Sequence, residues 1–97
     1  MAIADSMSLV PLRLKPTLRL TPAGYLFDGS NAETYTLNAT GQCVVRALLA
    51  GKEPSRLWSE VVAAFDVPEQ RARRDVRGFL AQLRLHRLLV EDRPAAF

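Results

Sequence analysis

Cysteine and histidine, which most often carry metals or nucleophilic chemistry, occur only once each among the 97 residues. A single cysteine, Cys43, excludes an intramolecular disulfide and a site built from several thiolates, and we interpret it as a buried structural residue. We interpret His86 as a solvated helix residue, and the glycines form no phosphate-binding motif. The sequence therefore favours a binding protein without metal or organic cofactor over an enzyme.

Long hydrophobic runs are also missing. No apolar stretch approaches the roughly 20 residues of a membrane span, and residues 1–9 lack the pattern of a secretory signal. We therefore expect a cytoplasmic protein without a membrane partner. The net charge of +3 permits an anionic partner, but a dedicated nucleic-acid binder usually concentrates a stronger basic patch. The length suits one domain, which we expect to be a monomer or a weak homodimer.

Three short strands are predicted in the first half of the chain. Alternation of leucine with polar residues over 17–21 indicates a strand with one buried face. The turn residues of 22–24 and 29–31 favour reversals of the chain on either side of an aromatic-rich segment. We therefore predict an antiparallel meander, preceded by a flexible tail over residues 1–15. Its strands are predicted at residues 17–21, 25–28 and 33–37.

Three helices are predicted in the second half of the chain. The apolar spacing changes from two to about 3.6 after Asn38, which is a good N-cap. Gly51 is suited to end the first helix, and Pro54 and Pro68 suit the first turns of the next two. The third helix, predicted to end near Arg87, is the longest. Its main apolar stripe is predicted to contain Ala72, Val76, Phe79, Leu80 and Leu83.

The order of these elements predicts the fold class. Residues 88–90 form a short apolar strand or hook, and residues 92–97 are expected to be a frayed C-terminus. A three-stranded antiparallel sheet followed by three helices with tight breaks is an α+β arrangement of the winged helix-turn-helix type. We expect one such domain over residues 16–91.

The third strand and the third helix are predicted to form a binding site. The last strand of a meander can lie at a sheet edge with free N–H and C=O groups. A second, weaker face of the third helix is small and apolar, with arginines at one end. Together they would suit β-strand addition by a peptide. The predicted peptide-binding residues are Glu33, Thr34, Tyr35, Thr36, Leu37, Arg74, Arg77, Gly78, Ala81 and Leu85. The alternatives are that Leu85 is simply exposed and that the N-terminal tail covers the edge.

Several segments carry a family resemblance. The run Tyr35–Gly41 and the later run Phe65–Glu69, each followed by spaced apolar residues, resemble the PqqD-like proteins over about residues 16–91. Members of that family are peptide chaperones, also called RiPP recognition elements, which act on ribosomally made and post-translationally modified peptides. The resemblance implies a winged-helix fold to which the leader region of a precursor peptide adds as a strand. It also implies a partner enzyme, often a radical S-adenosylmethionine maturase.

Two other interpretations remain open on the sequence alone. A winged-helix DNA-binding regulator could place the third helix in a major groove, with Arg71, Arg74, Arg77 and Arg84 on phosphates or guanines. Against it, the sheet precedes the helices, and Asp75 interrupts the basic surface. The other interpretation is a structural adaptor that docks on an enzyme without binding a peptide. The prediction is therefore a non-catalytic domain that binds a leader peptide and delivers it to a modifying enzyme.

Overall fold

In the computed structural model, which describes residues 12–91, two small sheets flank three helices. The central three-stranded sheet is antiparallel in the order β2-β3-β4, and the first and last strands pair antiparallel in a separate ribbon. The strands are β1 (Leu12–Leu14), β2 (Leu18–Leu20), β3 (Tyr25–Asp28), β4 (Glu33–Thr36) and β5 (Leu89–Glu91). The helices are α1 (Ala39–Leu49), α2 (Leu57–Phe65), which follows a 3₁₀ turn at Pro54–Arg56, and α3 (Glu69–Leu85).

The predicted α+β fold, with a three-stranded antiparallel sheet followed by three helices, is confirmed. The predicted tail over residues 1–15 is wrong at its C-terminal end, because Leu12–Leu14 form β1. This strand pairs with β5, and the Lys15 N–H donates to the Leu88 carbonyl at 2.8 Å. Leu14 is buried, so the ribbon closes one side of the core. Residues 1–11 and the C-terminus predicted to fray, residues 92–97, lie outside the described residues.

The helix ends follow from capping residues. The Asn38 side chain accepts a hydrogen bond from the Gly41 N–H at 2.7 Å, as an N-cap does. Gly51 has φ 87°, and the Lys52 N–H donates back to the Ala47 carbonyl at 3.0 Å, which stops α1 in a Schellman motif. These two boundaries confirm the predicted start and stop of the first helix.

The end of α3 lies at Leu85, two residues before the predicted end. Arg87 has φ 61°, in the left-handed region, and the Leu88 N–H donates to the Leu83 carbonyl at 2.8 Å. This reversal turns the chain from α3 into β5, which lies beside β1. The last turn of α3 is thereby held against the ribbon.

The core lies between the inner face of the sheet, the ribbon and the helices. Four residues of the predicted α3 stripe, Ala72, Val76, Leu80 and Leu83, are buried, whereas Phe79 is only partly buried at its border. Complete burial of a leucine or valine side chain contributes roughly 1.5–3 kcal/mol. The stripe therefore fixes how α3 is rotated about its axis. The partners of the stripe in the core are Leu14, Leu18, Leu26, Val44, Val45, Ala47, Leu48, Leu57, Val61 and Leu88.

One charged side chain, Asp28, is completely buried at the end of β3. It accepts hydrogen bonds from the Lys15 ammonium at 2.8 Å and from the Thr17 hydroxyl at 2.6 Å. The Ser30 N–H and hydroxyl donate to it at 2.9 and 2.7 Å. These contacts, with the Lys15 ammonium first, hold the pKa of the Asp28 carboxyl well below its usual range. Asp28 thus ties the β1–β2 connection to the β3–β4 hairpin.

Replacing this carboxylate tests its role. Asp28→Asn is expected to lower the thermal midpoint of unfolding at neutral pH, because the amide keeps the size but loses the charge that Lys15 pairs with. The depressed pKa means that the stabilising contribution is complete above the ordinary carboxyl pKa of about 3.9 and is lost as the pH falls below it. The difference in midpoint between wild type and variant should therefore shrink on acidification.

Asp66→Asn is the matched control for this experiment. Asp66 is exposed and has φ 53° at the C-cap of α2, a conformation that asparagine tolerates well. Circular dichroism melts of the three proteins across the acid range provide the measurement. An Asp28 variant as stable as wild type at neutral pH, or a difference that widens in acid, would contradict the assigned role.

Candidate functional site

The phase of hydrogen bonding in the central sheet shows which backbone groups are directed outward. The Thr21 N–H donates to the Tyr25 carbonyl at 2.8 Å, and the Gly29 N–H donates to the Thr17 carbonyl at 3.0 Å. In an antiparallel ladder, alternate residues direct both backbone groups to the same neighbour. Phe27, midway between Tyr25 and Gly29, therefore bonds to β2. The residues between them on β3 bond to β4.

This phase carries over to β4, which is the last strand of the order β2-β3-β4. Leu26 lies opposite Tyr35, and Asp28 lies opposite Glu33. The N–H and C=O groups of Thr34 and Thr36 therefore point away from β3, toward the side of β4 on which no strand of residues 12–91 lies, called the open side below. Such an edge is a template for another strand.

A depression of about 250 Å³ separates this edge from α3. Tyr35, Thr36 and Leu37 line one wall, and the ring centroids of Tyr35 and His86 are 5.6 Å apart. Most of the side chains that line the depression are aliphatic or aromatic. From α3 and the core it is lined by Leu26, Phe79, Gln82, Leu83, His86 and Leu88.

A second depression continues the first toward the N-terminal half of α3. The two adjoin at Asn38, Phe79 and Gln82, which line both, and we call the two depressions together the trough. The trough thus extends from His86 to a pair of arginines. The remaining lining residues of the second depression are Thr40, Gly41, Arg71, Arg74, Asp75 and Gly78.

The junction of the two depressions depends on Gly41. A Cβ atom at this position would lie 2.9 Å from Cε1 of Phe79 and 3.2 Å from Oδ1 of Asn38. The first distance is shorter than real Cβ contacts, so glycine lets the Phe79 ring lie against the first turn of α1. This contact sets how closely α3 approaches the exit of β4.

The arginine end of the trough carries excess positive charge. Asp75 lies between two guanidinium groups, 3.8 Å from Nε of Arg71 and 3.9 Å from Nε of Arg74. Such long, exposed pairs contribute about 0–1 kcal/mol, and one carboxylate cannot neutralise two arginines. Arg73 is engaged elsewhere, because its Nε lies 2.7 Å from Glu69 and its guanidinium stacks 4.2 Å from the centre of the Trp58 ring.

The structure brings together only some of the predicted site residues. Tyr35, Thr36 and Leu37 lie on the wall of the first depression, and Arg74 and Gly78 line the second. The other five lie outside the trough lining. Glu33 and Thr34 are on β4, and Ala81 and Leu85 line neither depression. Arg77 lines a third depression, which shares Arg71 and Arg74 with the second. The binding role of all ten remains a prediction.

The trough also contains residues that the sequence interpretation did not assign to it. The sequence pattern puts Phe79 and Leu83 in the core stripe and His86 in solvent, and His86 is exposed although it also lines the first depression. Phe79, Gln82 and His86 recur at helical spacings of three and four, which puts them on one face directly beside the buried stripe. This spacing could have identified the residues of α3 that line the trough. A strand that packs on the core, as β4 does, must face the part of the helix surface that borders the core.

The described residues offer little for catalysis or metal binding. Within residues 12–91, no three His, Cys, Asp or Glu side chains are arranged to hold a metal ion. Burial raises the pKa of the half-buried Cys43 thiol, which makes it less reactive at neutral pH. None of the helices described here has the length and apolar character needed to cross a membrane.

Comparison with known proteins agrees with this geometry. Residues 25–89 match the family model described as coenzyme PQQ synthesis protein D (PqqD). A solved structure titled "Lasso peptide synthetase B1 complexed with the leader peptide" is 26% identical with a TM-score of 0.67, covering 82% of this chain and 98% of that one. A second, "TbiB1 in Complex with the TbiA(beta) Leader Peptide", shares the fold at 21% identity and a TM-score of 0.70, covering 87% and 99%. No curated protein sequence matches. Since the family model covers more than half of its residues, the chain belongs to the PqqD family.

Proposed function

We propose that this domain binds the leader region of a ribosomally made precursor peptide by β-strand addition and delivers it to a modifying enzyme. The observation that carries the proposal is the open edge of β4, which faces α3 across the trough. A similar protein, lasso peptide synthetase B1, was solved with a leader peptide bound. The edge supplies backbone hydrogen bonds, and the trough supplies contacts to side chains.

The register of β4 determines how an added strand would be recognised. Thr34 and Thr36 exchange backbone hydrogen bonds with the peptide, and this pairing depends little on peptide sequence. Tyr35 then lies in a non-hydrogen-bonded pair, where Cα atoms approach to about 4.5 Å and side chains are closest. The peptide residue opposite Tyr35 therefore points into the trough, toward Phe79 and Leu83. That position contributes most of the selectivity.

The edge is held in place before any peptide arrives. The contacts of buried Asp28 fix the hairpin that carries β4, and the Gly41–Phe79 contact fixes the exit of the strand. Because the edge is already ordered, binding does not have to include the entropy cost of ordering this part of the protein. Only the peptide has to lose conformational freedom.

The domain itself performs no chemistry in this proposal. An added strand keeps one face against α3 and the other toward solvent, where a separate enzyme can reach the peptide. A radical S-adenosylmethionine maturase is one class of enzyme that fits this role. The single cysteine is compatible with a reducing compartment, and we place the complex in the cytoplasm.

Substitution of an edge residue by proline tests strand addition directly. Thr34→Pro removes an N–H that points away from β3, and proline is tolerated at such edge positions. The domain should fold, but it should bind the fluorescein-labelled leader region of its precursor peptide at least about tenfold more weakly. Such a loss corresponds to about 1.4 kcal/mol. Fluorescence anisotropy titration measures the change.

Thr34→Ala is the control, because it removes the side chain and keeps the N–H. It should bind the leader within about twofold of wild type, since a few tenths of a kcal/mol is typical of exposed substitutions. Equal affinity of the folded proline variant and wild type would refute strand addition at β4. A duplex DNA probe in the same assay tests the DNA-binding alternative.

Two helical glycines give a matched pair that tests the trough. A Cβ at Gly78 would meet nothing within 4 Å, whereas one at Gly41 would collide with Phe79. Gly78→Ala should therefore stabilise the domain by up to about 1 kcal/mol through helix propensity. Gly41→Ala should lose most of this gain and weaken leader binding several-fold, because Phe79 must move at the junction of the trough.

Denaturant unfolding and anisotropy titration measure both effects. The informative quantities are the free energies of unfolding of the two variants, because only a Cβ at Gly41 collides with Phe79, and the leader affinity of Gly41→Ala relative to wild type. If both variants bound the leader as wild type does, the position of Phe79 would be irrelevant to binding.

A further inference from the structure

The trough has chemically different ends, and β4 runs from one to the other. Tyr35 lies beside His86 near the C-terminal end of α3, and Asn38, just beyond the strand, lies where the trough turns toward Arg71 and Arg74. The chain direction of β4 therefore leads toward the arginine end. Any peptide that pairs with β4 therefore has a defined chain direction relative to these two ends.

Antiparallel pairing with β4 fixes the chain direction of the peptide. The strands of the central sheet are antiparallel, and antiparallel ladders are slightly more stable per residue than parallel ones. A peptide added antiparallel to β4 places its N-terminal side next to Asn38 and the arginines. Its C-terminal side then leaves the trough on the Glu33 side of β4.

The alternation of side chains specifies the apolar positions of the peptide. Residues directly opposite each other in a ladder lie on the same face of the sheet. Tyr35 and Leu37 line the trough, so the peptide residues opposite them also point into it. These two residues are two apart in the peptide, and they meet the apolar wall that includes Phe79 and Leu83.

The arginine end of the trough favours a negatively charged residue in the peptide. The side chains of Arg71 and Arg74 are 61% and 74% exposed, and Asp75 between them is 38% exposed. Each guanidinium has five N–H donors, and the long contacts to Asp75 leave donors of both groups available. A peptide carboxylate can accept charge-assisted hydrogen bonds there. The N-terminal turn of α1, at Thr40 and Gly41, lines the same depression and adds positive partial charge.

We propose that the trough selects peptides with an aspartate or glutamate N-terminal to two apolar residues that are spaced two apart. The acidic residue lies against Arg71 and Arg74, and the apolar residues lie opposite Leu37 and Tyr35. This inference rests on the proposed strand addition and specifies its substrate class and direction. It assigns Arg74 a role in selecting the ligand that a merely solvated arginine would not have.

Selection from a random library of displayed short peptides tests the inference without a known leader. The full chain is immobilised as wild type, as Arg74→Glu and as Arg84→Glu. Arg84 is an exposed arginine of the same helix that lines neither depression of the trough, which makes it the matched control. Wild type and Arg84→Glu should enrich Asp or Glu on the N-terminal side of the apolar pair, and Arg74→Glu should lose that preference.

Titration of one enriched peptide then measures how much its acidic residue contributes to affinity. Its acidic residue is changed to the matching amide, and both peptides are titrated into wild type and Arg74→Glu by fluorescence anisotropy. The acidic peptide should lose at least about tenfold in affinity on Arg74→Glu, whereas the amide peptide should change less than about threefold, as expected for one removed charge pair. Raising the salt concentration should reduce the difference between the affinities of the acidic peptide for wild type and for Arg74→Glu.

The possible failures separate this inference from the proposed function. If no peptide were enriched, or if Thr34→Pro bound the enriched peptides as wild type does, strand addition itself would fail. Enrichment of the apolar pair without acidic residues, or with acidic residues on the C-terminal side only, would overturn the inference and leave strand addition standing. Equal loss of affinity in Arg74→Glu and Arg84→Glu would show a general charge effect and would also overturn it.

Discussion

The rotation of α3 about its own axis is the constraint on which the rest of the molecule depends. Burial of one stripe, which includes Val76, Leu80 and Leu83, leaves α3 a single orientation against α2 and α1. The neighbouring strip, with Phe79 and His86, must then face the open edge of β4. The orientation of α3 about its axis therefore determines both the core and the trough. A helix rotated by one residue about its axis would bury polar side chains and close the trough.

Two local features hold the strand side of the trough. Buried Asp28 joins the β1–β2 connection to the hairpin before β4, and Gly41 permits the contact of α1 with the Phe79 ring. Both lie outside the backbone edge itself. A domain organised in this way presents a rigid edge and a rigid helix face, so that affinity comes from pairing and selectivity comes from the side chains of the trough.

The sequence predicted the fold well because its signals are local. The change of period at Asn38 and the stop at Gly51 depend only on neighbouring residues. A strand or hook is predicted at residues 88–90, close to β5, but its pairing with β1 is not, because the pairing of two three-residue strands from opposite ends of the chain leaves no local signal. Periodicity alone also leaves open which residues of α3 lie beside β4, so the binding role of the predicted helix face stays a prediction. Periodicity separates buried from exposed faces, but it does not show that β4 lies beside Phe79 and His86 rather than Ala81 and Leu85.

Amide hydrogen exchange at β4 tests the central claim most directly, because its residues alternate in partner. The Glu33 N–H donates to the Asn31 side chain at 3.0 Å, and the Tyr35 N–H is directed to β3. The N–H groups of Thr34 and Thr36 are directed to the other side of β4. Leader binding, followed by NMR, should slow exchange strongly at Thr34 and Thr36 and change it much less at Glu33 and Tyr35. A leader that bound without protecting Thr34 and Thr36 would contradict strand addition at this edge.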